Sequence, residues 1–157
     1  MEDMISLNIT ALTRLAYATI PGFVERGAGT VINISSIVAI APEILNGVYG
    51  GTKAFVLGLS QSMHRELADK GIRIQAVLPG ATATDFWSEA GNPVENLPQE
   101  IVMSAEEMVD AALVGLEKGE VVTIPGLHDG EQWDRYEAQR QVLSGLFGNS
   151  TAAARYR

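Results

Sequence analysis

The sequence predicts an α/β fold: a parallel sheet with flanking helices. Three observations predict it. Helical and strand-like periods alternate along the chain, as helix 3–26, strand 31–34, helix 48–69, strand 72–78, helix 105–118 and strand 120–124. The first strand, Val31-Ile32-Asn33-Ile34, is a short apolar run suited to burial in a parallel sheet. Right-handed crossovers between such strands bring the strand ends at Ser36 and Pro79-Gly80 to one rim, where ligands bind in open α/β sheets.

Each element has a local reason. Ile5, Leu12, Leu15, Ala16, Ile20 and Phe23 recur at helical spacing, and Pro21 is expected to kink this helix or end its regular part. Gly27-Ala28-Gly29 makes a turn into the strand. The segment 37–48 is a loop punctuated by Pro42 and Asn46-Gly47. In the long helix that follows, Phe55, Val56, Leu59, Met63 and Leu67 form the apolar stripe, and Gly71 supplies the stop. Ile72 to Leu78 is the second strand, ended by Pro79-Gly80. Residues 81–103, interrupted by Pro93 and Pro98, read as irregular or loosely helical. Ser104-Ala105-Glu106-Glu107 is a capping box opening a helix that Gly119 closes. Glu120 to Ile124 reads as a third strand, stopped by Pro125-Gly126, and 131–147 as a last helix. Residues 1–147 are expected to form one domain portion and 148–157 a frayed tail.

Composition narrows the function classes. Of 157 residues, 46% are apolar and 19% charged, an ordinary soluble balance. A net charge of −8, spread along the chain, disfavours nucleic acid and anionic lipid as partners. No cysteine is present, so disulfides and thiolate metal sites are excluded and a reducing, cytoplasmic setting is expected. His64 and His128 are too few and too far apart to suggest a metal centre, and His64 reads as an exposed helix residue. No apolar run approaches the roughly 20 residues of a membrane span.

The chemistry concentrates on Tyr49-Gly50-Gly51-Thr52-Lys53. Tyr49 and Lys53 are four residues apart, which puts both side chains on one helix face. A phenol has a pKa of about 10, and an ammonium one turn away is expected to lower it toward working pH. Ser36 lies thirteen residues earlier, at a strand end from which its hydroxyl can return beside the phenol. Its neighbour Ser35 is the rival, which strand alternation points to the opposite face. Asn8 is a polar amide on an apolar helix face and must find partners if buried.

Taken in order, Gly29-Thr30-Val31-Ile32-Asn33-Ile34-Ser35-Ser36, the step to Tyr49 and Lys53, and Pro79-Gly80 closely resemble the catalytic half of the short-chain dehydrogenase/reductase family. The likeness runs from about residue 3 to about residue 125. It implies a doubly wound, partial Rossmann-like fold and NAD(P)-dependent hydride transfer between a nicotinamide and a small-molecule carbonyl or alcohol. By resemblance, Tyr49 is the general acid/base. Lys53 tunes it and bonds the nicotinamide ribose, Ser36 holds the substrate oxygen, and Asn8 positions a water that relays protons to the lysine. Pro79, Gly80, Thr82 and Thr84 resemble the segment that holds the nicotinamide carboxamide, Thr82 through its backbone and Thr84 through its hydroxyl. Phe86 and Trp87 follow where the family places its substrate lid, and either wall a pocket or belong to local core.

The resemblance also sets a limit. A dinucleotide site begins with a strand, a Gly-rich turn and a helix, and Gly27-Ala28-Gly29 precedes a strand instead of following one. The chain is therefore expected to be the C-terminal portion of such an enzyme, to bind NAD or NADP weakly or not at all alone, and to expose its first strand as an apolar edge. Two further expectations follow: a non-catalytic homo-oligomer through helices 3–26 and 48–69, or a fragment that complements a separate N-terminal half.

Overall fold

A computed structural model describes residues 1–45, 47–89 and 91–157. Asn46, half of the expected Asn46-Gly47 turn, lies outside the described residues. The chain divides into two compact units, Met1–Gly126 and Leu127–Arg157.

In the first unit, α1 (Glu2–Ile5) continues through a π-helical stretch, Ser6–Ala11, into α2 (Leu12–Arg26). Pro21 neither ends nor divides this run, which continues to Arg26. The proline removes the bond to the carbonyl of Tyr17, but both residues are on the exposed side, where water can serve that carbonyl. The helix stops at Gly27 instead, whose φ of 66° starts a left-handed cap with Ala28 N–H bonded to Phe23 O at 3.2 Å.

Strand β1 (Gly29–Ile34) leads through 3₁₀ turns at Ile37–Ala39 and Pro42–Ile44 to α3 (Val48–Leu67), then to β2 (Ile72–Val77). The two strands are parallel and in register from Gly29↔Ile72 to Ile34↔Val77. Strand β5 (Val122–Thr123) pairs on the other side of β2, giving the order β1-β2-β5. The third strand is shorter than its sequence suggests, because Glu120 N–H closes the preceding helix by bonding Gly115 O at 3.0 Å. That helix, α5 (Ala105–Glu117), is capped as expected by Ser104, whose hydroxyl accepts from Glu107 N–H at 3.1 Å.

The segment 81–103 is more ordered than expected. Strand β3 (Thr82–Ala83) pairs in parallel with β4 (Met103–Ser104), and α4 (Phe86–Glu89) lies between them. Two-residue strands carry no period for a sequence to show.

One face of the sheet packs on α2 and α3 through Ala16, Met63, Leu67, Ile72 and Ile74, with Ile20, Phe23, Val31 and Leu59 around them. Polar bonds tie β1 to the same side: Asn33 Nδ2 donates to Ser60 Oγ at 3.0 Å, and Ser60 Oγ to Val56 O at 2.7 Å. On the opposite face, Gln75 Nε2 donates to Ala112 O and Thr123 Oγ1, both at 2.8 Å, joining β2, β5 and α5. Strand β1 is the end of this sheet, as expected. Ser35 N–H bonds Val77 O at 2.8 Å, so the alternating groups at Ile32 and Ile34 face the open edge. The two residues are 39% and 46% exposed.

Gly58, on the exposed side of α3, has nothing within 4 Å of where a Cβ would stand. Gly58→Ala is expected to stabilise the chain by about 0.5–1 kcal/mol, read from thermal or urea denaturation.

The second unit holds α6 (Gly130–Ser144), capped by Asp129, whose carboxylate accepts from Glu131 N–H at 3.1 Å. The helix buries no residue and carries the exposed ion pairs Arg135–Glu131 and Arg140–Glu137. A short 3₁₀ turn, Ala154–Tyr156, lies near the chain end.

Candidate active site

The ends of β1 and β2 meet the first turns of α3. Ile37 N–H donates to Pro79 O at 3.0 Å, which closes the two strand-end loops onto each other. Ser36 sits at this junction, 9% exposed, its Oγ accepting from Val38 N–H at 3.3 Å and donating weakly to Pro79 O at 3.5 Å. The Tyr49 phenol faces the Ser36 side chain, close enough for that hydroxyl to favour the phenolate. Lys53 Nζ stands 5.7 Å from the centre of the Tyr49 ring and donates to Ile34 O at 3.1 Å. Ser36, Tyr49, Lys53 and Pro79 therefore converge on one rim.

The electrostatics differ from the expectation. The Tyr49 phenol is held above the ordinary tyrosine value, chiefly by burial, with the Ser36 hydroxyl working in the lowering direction. The Lys53 amine, for its part, is bonded to the open carbonyl of Ile34. Burial in turn pushes the Lys53 amine below the usual lysine range.

Asn8 lies in the π-helical stretch and is brought to α3, where its Nδ2 donates to Thr52 Oγ1 at 3.0 Å. Thr52 Oγ1 in turn donates to Tyr49 O at 2.8 Å. Ser35 does point away from Ser36, yet the face it points to is packed on α3, and its Oγ donates to Lys53 O at 2.8 Å. Thr52 did not stand out as a site residue in the sequence, and Ser35 did so only as the rival of Ser36, not as a support of Lys53. The only local signal was their position next to Lys53 and Ser36.

Beyond Pro79 and Gly80, Thr82 Oγ1 donates to Gly80 O at 3.2 Å. Thr82 O accepts from Trp87 Nε1 at 2.8 Å, so this carbonyl anchors α4. Thr84 is exposed two residues before Phe86. The Phe86 ring is 6.2 Å from that of Tyr49 and 5.5 Å from Trp87, edge-on to the latter. Phe86 is 52% exposed and so stands beside the phenol as a wall, whereas Trp87 is half-buried.

His64 is half-buried, not exposed. It lines a groove of about 250 Å³ with Ile72, Arg73, Leu116 and Glu120 at the opposite end of β2 from Tyr49. Among the described residues, no group of three or more acidic or histidine side chains is placed to hold a metal, and no helix is long and apolar enough to cross a membrane.

Two features of the rim bear on whether it suits the nicotinamide end of a dinucleotide: the Lys53 amine beside Tyr49, and the backbone just past Pro79. Gly80 is exposed, and a Cβ there would meet only Ile37 Cδ1, at 3.7 Å. A flat ring can approach that backbone closely.

The profile of the family described as short chain dehydrogenase matches residues 1–95, more than half of the chain, and the chain belongs to this family. A short-chain dehydrogenase from Sphingobium yanoikuyae, solved in complex with NADPH, is 52% identical and superposes with a TM-score of 0.92 over 98% of this chain and 59% of its own. The bulky-bulky ketone specific alcohol dehydrogenase from Comamonas testosteroni is 45% identical, with a TM-score of 0.84 over 97% of this chain and 56% of its own. The very-long-chain 3-oxoacyl-CoA reductase of Rattus norvegicus is 37% identical over 119 residues, 74% of this chain and 36% of that protein. The chain thus spans between a third and three fifths of the length of these relatives.

Proposed function

We propose that the rim carrying Tyr49 is the proton-transfer site of an NAD(P)-dependent oxidoreductase acting on a small-molecule carbonyl or its alcohol. The observation that carries this reading is the Tyr49 phenol facing the Ser36 side chain with the Lys53 amine beside its ring. The nicotinamide, when bound, supplies or accepts the hydride. The chain's own residues handle the oxygen and its proton. Ser36 Oγ donates to the substrate oxygen and holds it where negative charge develops. Tyr49 Oη gives its proton to that oxygen in reduction and takes it back in oxidation. Lys53 holds the ribose, Asn8 supports the proton path to Lys53, and Pro79, Gly80, Thr82 and Thr84 hold the carboxamide. Phe86 excludes water from one side of the reacting oxygen. A cytoplasmic setting belongs to the same proposal.

Isothermal titration of the chain with NADH and NADPH tests the cofactor side. Weak or absent binding is expected, and micromolar affinity would show that the chain needs no further surface. Mixing the chain with an N-terminal half of the family that carries the Gly-rich turn is expected to give ketone reduction, because the open edge of β1 can accept a strand. Failure of every such mixture, and of the chain alone, to oxidise NADPH with any ketone would count against the reading.

The pH dependence follows from Tyr49. Reduction needs the protonated phenol, and a phenol held above the ordinary value of about 10 keeps its proton through neutral and mildly alkaline pH. Reductive kcat/KM is expected to stay level there and fall only as pH rises past that value, while the oxidative rate climbs over the same range. Profiles in both directions read this, with the macroscopic values belonging to Tyr49 and Lys53 together.

A second reading, homo-oligomerisation without catalysis, is favoured by the apolar surface left on the first helical run and on α3. Leu7, Leu15 and Tyr17 are 72%, 66% and 75% exposed, and Phe55 is 38% exposed. Sedimentation is expected to show a dimer that Leu15→Glu with Tyr17→Glu returns to monomer. A wild-type chain that stays monomeric at high concentration would remove this reading.

A further inference from the structure

Thr52 occupies the turn between Tyr49 and Lys53 and is 1% exposed. A threonine hydroxyl has one proton to give and two lone pairs. Here the proton goes to Tyr49 O at 2.8 Å, and a lone pair accepts from Asn8 Nδ2 at 3.0 Å. A threonine bonding back to its own helix is commonplace. What is uncommon is the second bond, which comes from a residue 44 positions earlier in another helix. The donor sits in the π-helical Ser6–Ala11 stretch, a local widening of the helix that turns a side chain out of regular phase. The bonds run in one direction, Asn8 to Thr52 to the carbonyl of Tyr49, and bonds in such a chain polarise one another. Across the same turn, Ser35 Oγ holds Lys53 O from the strand side at 2.8 Å. The helical turn that bears the phenol and the amine is therefore gripped on two sides by hydroxyls.

We propose that Thr52 is a positioning residue that transmits the hold of Asn8 to the backbone of Tyr49 and so fixes the phenol against Ser36. Its importance for catalysis rests on the reading of Tyr49 as acid/base, but the hold itself does not. Misplacing a reacting group by about 1 Å can cost on the order of 10²-fold in rate.

The test needs no turnover. With ¹³Cζ-labelled tyrosine, the Tyr49 titration is followed by NMR in the full chain and assigned with Tyr49→Phe. Lys53 is the charged group that faces the ring, and it is unchanged in the variants. Thr52→Val keeps the shape and removes the hydroxyl. Its turn is expected to relax and admit water to the phenol, and the Tyr49 midpoint to fall by about half a pH unit or more toward the ordinary value. The Asn8 side-chain amide protons are expected to lose protection from exchange. Thr52→Ser is expected to restore both. An unmoved or rising midpoint in Thr52→Val, with Asn8 protected as before, overturns the proposal even if the variant is less stable. If Thr52→Val does not fold, the wild type decides: Asn8 amide protons that exchange as fast as those of a free amide overturn it. The two readings fail separately. A Tyr49→Phe chain that still reduces ketones, beside a Thr52→Val shift in the titration, removes the dehydrogenase mechanism and leaves the positioning role standing.

Discussion

Tyr49→Phe should lower kcat/KM for ketone reduction by about 10²–10⁴-fold while leaving the fold intact. The ring stays, and with it the contacts to Phe86 at 6.2 Å and to the Lys53 amine at 5.7 Å. Only the hydroxyl goes, taking the transferable proton and the interaction with Ser36. The measurement is NADPH oxidation by the complemented chain, with near-unchanged thermal unfolding as the control. Ser36→Ala should cost about 10²–10³-fold, because it removes a donor to the developing oxyanion but leaves the proton source. A Tyr49→Phe chain within a few-fold of wild type would mean that the proton comes from elsewhere. The variant should also lose a component of alkaline unfolding. A phenol whose folded pKa is raised contributes stability in full below its unfolded value of about 10, and loses it as pH rises through the folded value.

What the sequence made legible depended on distance along the chain. The α/β class followed from periods within single elements, and the stops at Gly27 and Gly71 from one residue type with freedom at positive φ. Tyr49 and Lys53 were legible because four residues on a helix settle their geometry without any tertiary information. Ser36 needed the family resemblance, since a loop of any shape could have carried it elsewhere. Thr52 and Ser35 were not legible as supports of the site, because their partners lie 44 and 18 residues away and their environment is made only by packing. The direction of the Tyr49 shift failed for the same reason. Spacing reports a neighbouring charge, whereas burial depends on Ser36, Phe86 and the strand ends arriving together. Pro21 shows the converse limit: the local rule was sound, but its outcome depended on which side of the helix faced water.

The open edge of β1 and the Lys53 amine are linked. Ile34 O points to the unpaired side of the strand, and Lys53 Nζ occupies it at 3.1 Å. An edge carbonyl left without a partner favours any nearby donor. The same amine is the group assigned to the ribose, so a strand added beside β1 would offer Ile34 O a backbone donor and leave Lys53 more available to a ligand. A complementation experiment would read strand addition and Lys53 availability together, which cofactor concentration alone would not.

Gly71→Ala should be among the most destabilising single substitutions away from the site, costing about 2–4 kcal/mol of a total of about 5–15 kcal/mol. Gly71 has φ of 76°, and an added Cβ would press on the carbonyl of Gly27, a rigid backbone atom that cannot swing aside. Gly27, with φ of 66°, is the sharper comparison, because nothing lies within 4 Å of its own Cβ position. Gly27→Ala should therefore show only the backbone strain, about 1–2 kcal/mol. The two glycines end α2 and the turn after α3, and they meet where β1 and β2 begin, at the pair Gly29↔Ile72. A shift there propagates along a parallel register that ends at Ile34↔Val77, one residue before Ser35 and two before Ser36. Urea denaturation of the two variants separates clash from strain: equal losses would mean that the contact between the two turns is looser than the structure shows. A larger loss in Gly71→Ala, with a rise in Lys53 accessibility to amine-reactive reagents, would show that the far end of the sheet sets the geometry of the site.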